Sequence, residues 1–555
     1  MLRMTPIVIP KSSDGRHVLF IRSVRFRYIR VLGRLLVVAA CVCQLVLLAP
    51  RLAVADVKLP AVFSENMVLQ RDRAIPVWGW ADPGEEVTVR FGGNVSRAMS
   101  DDGGRWRVSL PKLSAQPEPL ELLVRGSAGS RVSVGNVLIG DVWLCTGPSN
   151  IFWQVKRCDN AKQEIADADY PRIRFFTVKK HAADEPQSDC QGDWAECSPE
   201  TVGDASGVGY FSSRLIHKEQ DVPIGLLQSF WGGSRIEAWT SAEAFQAEPA
   251  LKPIGDWWKN NVNDFDPGEA EADYRRRLAE WKRTVAVAKA DGKKPPAKPR
   301  KHRNPRRSPH RPACLYNGMI APLIPYALKG VISYQGLGNL YWADHNRVLL
   351  STLINDWRSR WQHDDMHFGM VQPAPFPCDR WPKQNENAYA IQREAQLLVM
   401  DELKNVGVAP TMEIGSLTQL HFTNKQDVGR RMAHWALANV YGRSIAYSGP
   451  VYESMRVEGN AIRIHFKHTG EGLSTSDGKA PTHFAIASDD KQFHPAQAVI
   501  DGHTVVVSSE QVSQPVAVRF AWSDTAVPNL INSDNLPASL FRTDVPPLKR
   551  SADSP

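Results

Sequence analysis

The stretch GDVWLCTGPSNIFWQ, Gly140 to Gln154, decides the fold. An apolar run that begins at Val137 reads as a buried β-strand and ends abruptly in Gly147, Pro148, Ser149 and Asn150. A serine at a tight turn just past a buried strand is how several hydrolase folds present a nucleophile. The strand is expected to open into a helix, which would set the Ser149 N–H at a positively polarised helix start.

Outward from it, the same texture recurs. RIRFFTV (172–178), IGLLQS (224–229), GVISYQ (330–335) and FGMVQ (368–372) are short apolar runs alternating with helical segments. Buried runs separated by helices imply a mostly parallel sheet covered on both faces. One helix is expected over 348–361, with Leu350, Leu353, Ile354, Trp357 and Trp361 on one stripe. A second is expected over 424–441, opened by a Thr423/Gln426 capping box and stopped at Gly442. Before residue 137 the pattern is β, with VTVRF (87–91) and RWRVSL (105–110), as in a small sandwich. After Ser448 it is β again, with IRIHF (462–466), TVVVSS and VAVRFAW (516–522). At 555 residues the chain is too long for one core. The boundaries expected are 1–55, 56–137, 138–446 and 447–545.

Residues 1–55 carry nine Lys/Arg against the single acid Asp14, an apolar run from Leu35 to Leu48, and Ala53-Val54-Ala55. That order reads as a secretory signal peptide cut after Ala55, and the run is short for a membrane span. The segment accounts for the whole formal charge of +8, so the remaining chain is near neutral and no nucleic-acid partner is implied. A periplasmic or secreted location follows as an expectation, with no stable membrane span after cleavage. Six cysteines then remain, Cys190 and Cys197 being the pair nearest in sequence, and no His/Cys spacing suggests a metal. Between 269 and 312 lies an insertion: a helix to about Ala290, then nine Lys/Arg without an acid from Lys293 to Arg311. Its simplest reading is a Pro-stiffened exposed loop, and binding of polyanions is the alternative.

Three further stretches surround Ser149 with chemistry. WGGSRIEAW (231–239) follows a buried run with paired glycines, which let backbone N–H groups approach a ligand. YQGLGN (334–339) follows the next and offers the amides of Gln335 and Asn339. LHFTNKQ sets His421 at a helix start. A hydroxyl, amide donors and an imidazole are the set that acyl transfer requires. Trp153, Trp231, Trp239 and Tyr341 lie near these blocks and have the shape to stack on sugar rings, although most of the tryptophans are expected in the core.

At this point the chain resembles the sialate O-acetylesterase family of SGNH-type carbohydrate esterases. LPAVFSENMVLQRDRAIPVWGWADPGEEVTV (59–89), LYNGMIAPLIPYALKGVISYQG and NLPASLFRTD (535–544) carry the resemblance over nearly all of residues 56–545. It implies an α/β flavodoxin-like SGNH hydrolase domain flanked by N- and C-terminal β-sandwich domains, acting without a cofactor on O-acetylated sialic acids or related sugars. By that resemblance Ser149 is the nucleophile and His421 the catalytic histidine. Gly233, Gln335 and Asn339 are the oxyanion donors. The chain departs from the family pattern where it matters: GPSNIFW stands for GQSNMEW, YQGLGN for YQGESN, and Gln419 for the Asp of D-I-H-P. Glu413 is an alternative acid partner for His421. A catalytically impaired relative that binds glycans or other surface partners is the second reading.

Overall fold

The computed structural model describes residues 56–544; the expected signal peptide lies outside them. A parallel sheet forms the centre. Its strands are β1 (Arg131–Gly147), β2 (Tyr170–Thr177), β3 (Ile224–Phe230), β4 (Gly330–Ser333), β5 (His367–Val371) and β6 (Val406–Ala409). They lie in the order β6-β5-β4-β1-β3-β2, with Trp194–Cys197 antiparallel at the edge of β2. Every residue of β3, and β1 from Val137 onward, is buried, as the continuous apolar runs require.

Alternate side chains of the strands feed two cores. Val142, Leu144, Leu227 and Val331 pack on one face with Leu349, Leu353 and Trp357 of helix α3 (Asn346–Trp361). Trp143, Cys145, Leu226 and Ile332 pack on the other with Val208 and Phe211 of α1 (Gly207–Gln220) and Met432 and Trp435 of α5 (Lys425–Asn439). Helix α2 (Pro267–Ala290) belongs to the insertion, and α4 (Ala388–Glu402) lies between β5 and β6. The expected cap of α5 moves by one residue. Asn424, not Thr423, is the N-cap, its side chain accepting the Asp427 N–H at 3.1 Å, while Gly442 turns left-handed (φ 68°) past the end.

Strand β1 is 17 residues long and belongs to two sheets. Its first half pairs antiparallel with Gln116–Gly126, which in turn pairs with Glu86–Phe91; its second half pairs parallel with β3 and β4. A single strand therefore carries the N-terminal β region into the central sheet. At the other end, Val451–Glu458, Ala461–Lys467, Thr504–Ser508 and Gln497–Asp501 form one antiparallel sheet. Phe484–Ala487, Ala517–Phe520 and their neighbours form another, and Ile462, Ile464, Val505, Val507, Val518 and Phe520 share one core. Among the described residues all six cysteines are free thiols, so Cys190 and Cys197 are not bridged; burial raises each thiol to about 12. No helix among the described residues is long and apolar enough to cross a membrane.

Candidate active site

The parallel register sets three strand ends side by side: Phe230 of β3 pairs with Gly147, and Ser333 of β4 with Thr146. The loops leaving those ends are the three blocks singled out in the sequence. In open α/β sheets the crevice beyond the carboxyl ends of the strands is where ligands bind. Here it is a cleft of about 820 Å³, lined among others by Ser149, Gly233, Gln335 and His421. A hydroxyl and an imidazole more than 270 positions apart in sequence thus face one space.

Gly147 sets the turn that carries Ser149. Its φ is 134°, and a Cβ there would sit 2.4 Å from the Tyr334 carbonyl, so only glycine lets the end of β1 run this close to the end of β4. The expected helix after Ser149 does not form. The chain makes one turn, closed by the Phe152 N–H on the Pro148 carbonyl at 3.3 Å, and reaches a short 3₁₀ turn only at Val155–Arg157. Pro148 removes a donor at this point, and the Phe152 ring packs on Phe230 (ring centroids 4.8 Å apart). The Ser149 side chain makes no hydrogen bond among the described residues, and its Oγ would lie 3.3 Å from a Cβ on Gly232.

Asn150 joins the two halves of the site. Its Nδ2 donates to the Leu420 carbonyl at 3.1 Å, one residue before His421, and its Oδ1 accepts from Lys425 Nζ at 2.8 Å. The His421 ring lies parallel to Trp153 at 5.2 Å between centroids. Burial, then Lys425, then Arg157 hold His421 below the ordinary histidine range, so the imidazole is neutral and able to accept a proton near pH 7. No carboxylate lines the cleft among the described residues. Gln419 is exposed, and Glu413 is taken up by the Arg431 guanidinium, so neither serves as an acid partner for His421.

Of the amide donors, Gln335 lines the cleft, is 7% exposed, and makes no side-chain hydrogen bond among the described residues. Gly233 also lines it, in a left-handed turn (φ 72°). Asn339 does not. Its Oδ1 accepts the Ile236 N–H at 2.9 Å and its Nδ2 donates to Glu237 at 2.6 Å, so its amide braces the glycine loop from behind. Gly338 permits that packing, since a Cβ there would meet the Ser234 carbonyl at 2.3 Å. Among the aromatics, Tyr341 lines the cleft, whereas Trp239 is fully buried with its Nε1 on Ser234 Oγ. Sequence reasoning missed Trp257, Trp381, Arg235 and, above all, Arg300, Arg303 and His310, which line the cleft from the insertion. Only the density of unpaired basic residues signalled them.

A neutral imidazole, a free hydroxyl and amide donors at the C-terminal edge of a parallel sheet are the groups that acyl transfer requires. No protein-family model matches the chain. It is 34% identical to a carbohydrate acetylesterase from Xanthomonas citri of known structure, which superposes with a TM-score of 0.73 over 88% of this chain and 99% of that one. It is also 25% identical to mouse sialate O-acetylesterase over 82% of this chain and 88% of that protein, and 26% identical to the human enzyme over 76% and 78%. The chain belongs to the sialate O-acetylesterase family of carbohydrate esterases.

Proposed function

We propose that this esterase hydrolyses acetyl esters of sialic acid or related sugars by a Ser-His mechanism, in an SGNH-type domain between two β-sandwich domains. The observation that carries the reading is the shared cleft of Ser149, His421, Gly233 and Gln335. Ser149 Oγ attacks the acetyl carbonyl while neutral His421 takes its proton. The negative charge that develops on the carbonyl oxygen is met by the N–H groups of Ser149 and Gly233 and the Gln335 amide. His421 then passes the proton to the leaving sugar oxygen, and water repeats the sequence on the acyl-enzyme to release acetate. With no acid behind it, His421 depends on Trp153 for its orientation. In serine proteases, losing the orienting acid costs roughly 10⁴-fold in turnover, so this site is expected to be slow. The basic and apolar pattern of residues 1–55 supports export to the periplasm or beyond.

The test is turnover of residues 56–555 on an aryl acetate and on O-acetylated sialic acid, beside Ser149→Ala. The variant is expected to lose turnover on both esters. Equal background rates in the two proteins would remove the hydrolytic proposal and favour a binding role.

A further inference from the structure

The basic segment of the insertion is folded back onto the molecule. Trp281 Nε1 of α2 donates to the Pro296 carbonyl at 2.8 Å, Lys301 pairs with Glu271 at 3.1 Å, and His302 bonds Asp273 at 2.6 Å. Further on, Arg311 pairs with Asp184. These contacts fix the irregular segment that returns from α2, and they leave Arg300 and Arg303 lining the cleft with no ion pair among the described residues. Arg235 lines the same cleft from the glycine loop. Its guanidinium lies over Trp257 (5.0 Å) and Trp258 (5.3 Å), 3.8 Å from Glu237, and its buried Nη1 has no hydrogen-bond partner.

His310 completes this wall. It comes within 3.8 Å of where a Gly233 side chain would begin, and its buried Nδ1 has no partner. Burial above all, then Arg235 and Arg303, push it down to about 4, so the ring is neutral. Among the described residues three guanidiniums and no carboxylate line this cleft; Glu237, behind it, pairs with Arg235 and leaves Arg300 and Arg303 as the uncompensated charges. Clefts lined by one sign of charge concentrate ligands of the other, and a guanidinium fork matches a carboxylate or sulfate.

We infer that the insertion is part of the substrate site, and that Arg300 and Arg303, lining the cleft with Arg235, make the esterase selective for acetyl esters on sugars that carry a negative charge. The inference rests on the esterase reading and deepens it. It assigns the charge requirement to the insertion rather than to the catalytic blocks.

The experiment compares kcat/KM on an O-acetylated uronic acid with that on its neutral methyl ester, and on an O-acetylated sugar with and without a sulfate. The acid-to-neutral ratio is read within each enzyme, so a partly folded variant still reports it. Wild type is expected to prefer both anionic members by about tenfold, roughly threefold for each insertion guanidinium, the scale of solvent-accessible charge pairs. Preference for only one of the two anions identifies the group recognised. Arg300→Gln/Arg303→Gln is expected to bring the ratio close to one, Arg303→Glu to invert it, and Arg300→Lys/Arg303→Lys to keep most of it. A ratio of one in wild type, or a preference that survives the double Gln substitution, would overturn the inference. If no ester is turned over, the hydrolytic reading fails on its own. Titration calorimetry with a uronate oligosaccharide and its methyl-esterified form then decides the charge preference separately: tighter binding of the acid that weakens in the double Gln variant supports it, and equal affinities sink it.

Discussion

Lys425 is a buried cation next to the candidate site. It is fully buried, its Nζ lies 3.6 Å from the centre of the Phe422 ring, and its one hydrogen bond goes to Asn150, the neighbour of Ser149. Burial lowers it from 10.5 to about 7, against the weaker pull of Cys158 and Asp159. A base whose folded value is depressed binds a proton in the unfolded chain that it lacks when folded. Between about pH 7 and 10.5 the unfolded state therefore holds the extra proton, and stability rises with pH across that window. From pH 7 to 9.5 the gain is expected to be roughly 3 kcal/mol relative to Lys425→Met. Urea midpoints of the two proteins at both pH values measure it; parallel pH dependence in wild type and variant would contradict it.

At the scale of elements, α5 sits on the sheet by means of glycine. The Trp435 indole lies against β5 and β6, where a Cβ on Gly369 would meet it at 2.5 Å and one on Gly407 at 1.7 Å. The sheet thus presents bare backbone where the helix presents its largest side chain. Gly407→Ala is expected to cost roughly 3 kcal/mol or more, because neither the strand nor the indole has room to move. Chemical unfolding of Gly407→Ala, Trp435→Phe and the double variant gives the check: the double variant should be more stable than the two single losses predict, and strict additivity would argue against contact at this point. Because α5 begins four residues after His421, its seating also sets the depth of the imidazole.

Over the whole molecule, β1 makes the N-terminal region and the central parallel sheet mechanically one. At the crossing point Asp141 is fully buried; Arg71 holds it with two hydrogen bonds of 3.0 Å, joined by Gln70 at 3.1 Å and Tyr441 at 2.9 Å. Two segments distant in sequence, Gln70–Arg71 and Tyr441, converge on the carboxylate of a third. Arg71→Met leaves that charge without its cation and is expected to cost roughly 3 kcal/mol. Circular dichroism melts of the variant should show a lower single transition, and an unchanged melting temperature would mean the regions are not coupled here. The C-terminal β region is tied down at α4, where Arg393 donates to the Ser523 and Asp524 carbonyls and Asp524 accepts the Tyr389 N–H at 2.9 Å. Tyr389 lines the cleft, so that region bears on the site through one helix.

Features that depend on local pattern were legible before any fold was known. Continuous apolar runs such as IGLLQS encode strands buried on both faces, the period of Leu350, Leu353 and Trp357 encodes α3, and glycine pairs and a serine after strand ends mark the cleft blocks. The misread points were local competitions settled by neighbours: Asn424 outcompeting Thr423 as a cap, and Phe152 packing on Phe230 where a helix was expected. Only the tertiary structure decided which groups are free to act. Asn339 and Gln335 are the same kind of donor four residues apart, yet the buried Glu237 claims one and leaves the other to the cleft. Arg300 and Arg303 are solvent-exposed as the loop pattern predicts, but that they line the same cleft as Ser149 follows from how the segment returns from α2, a contact that no local pattern contains.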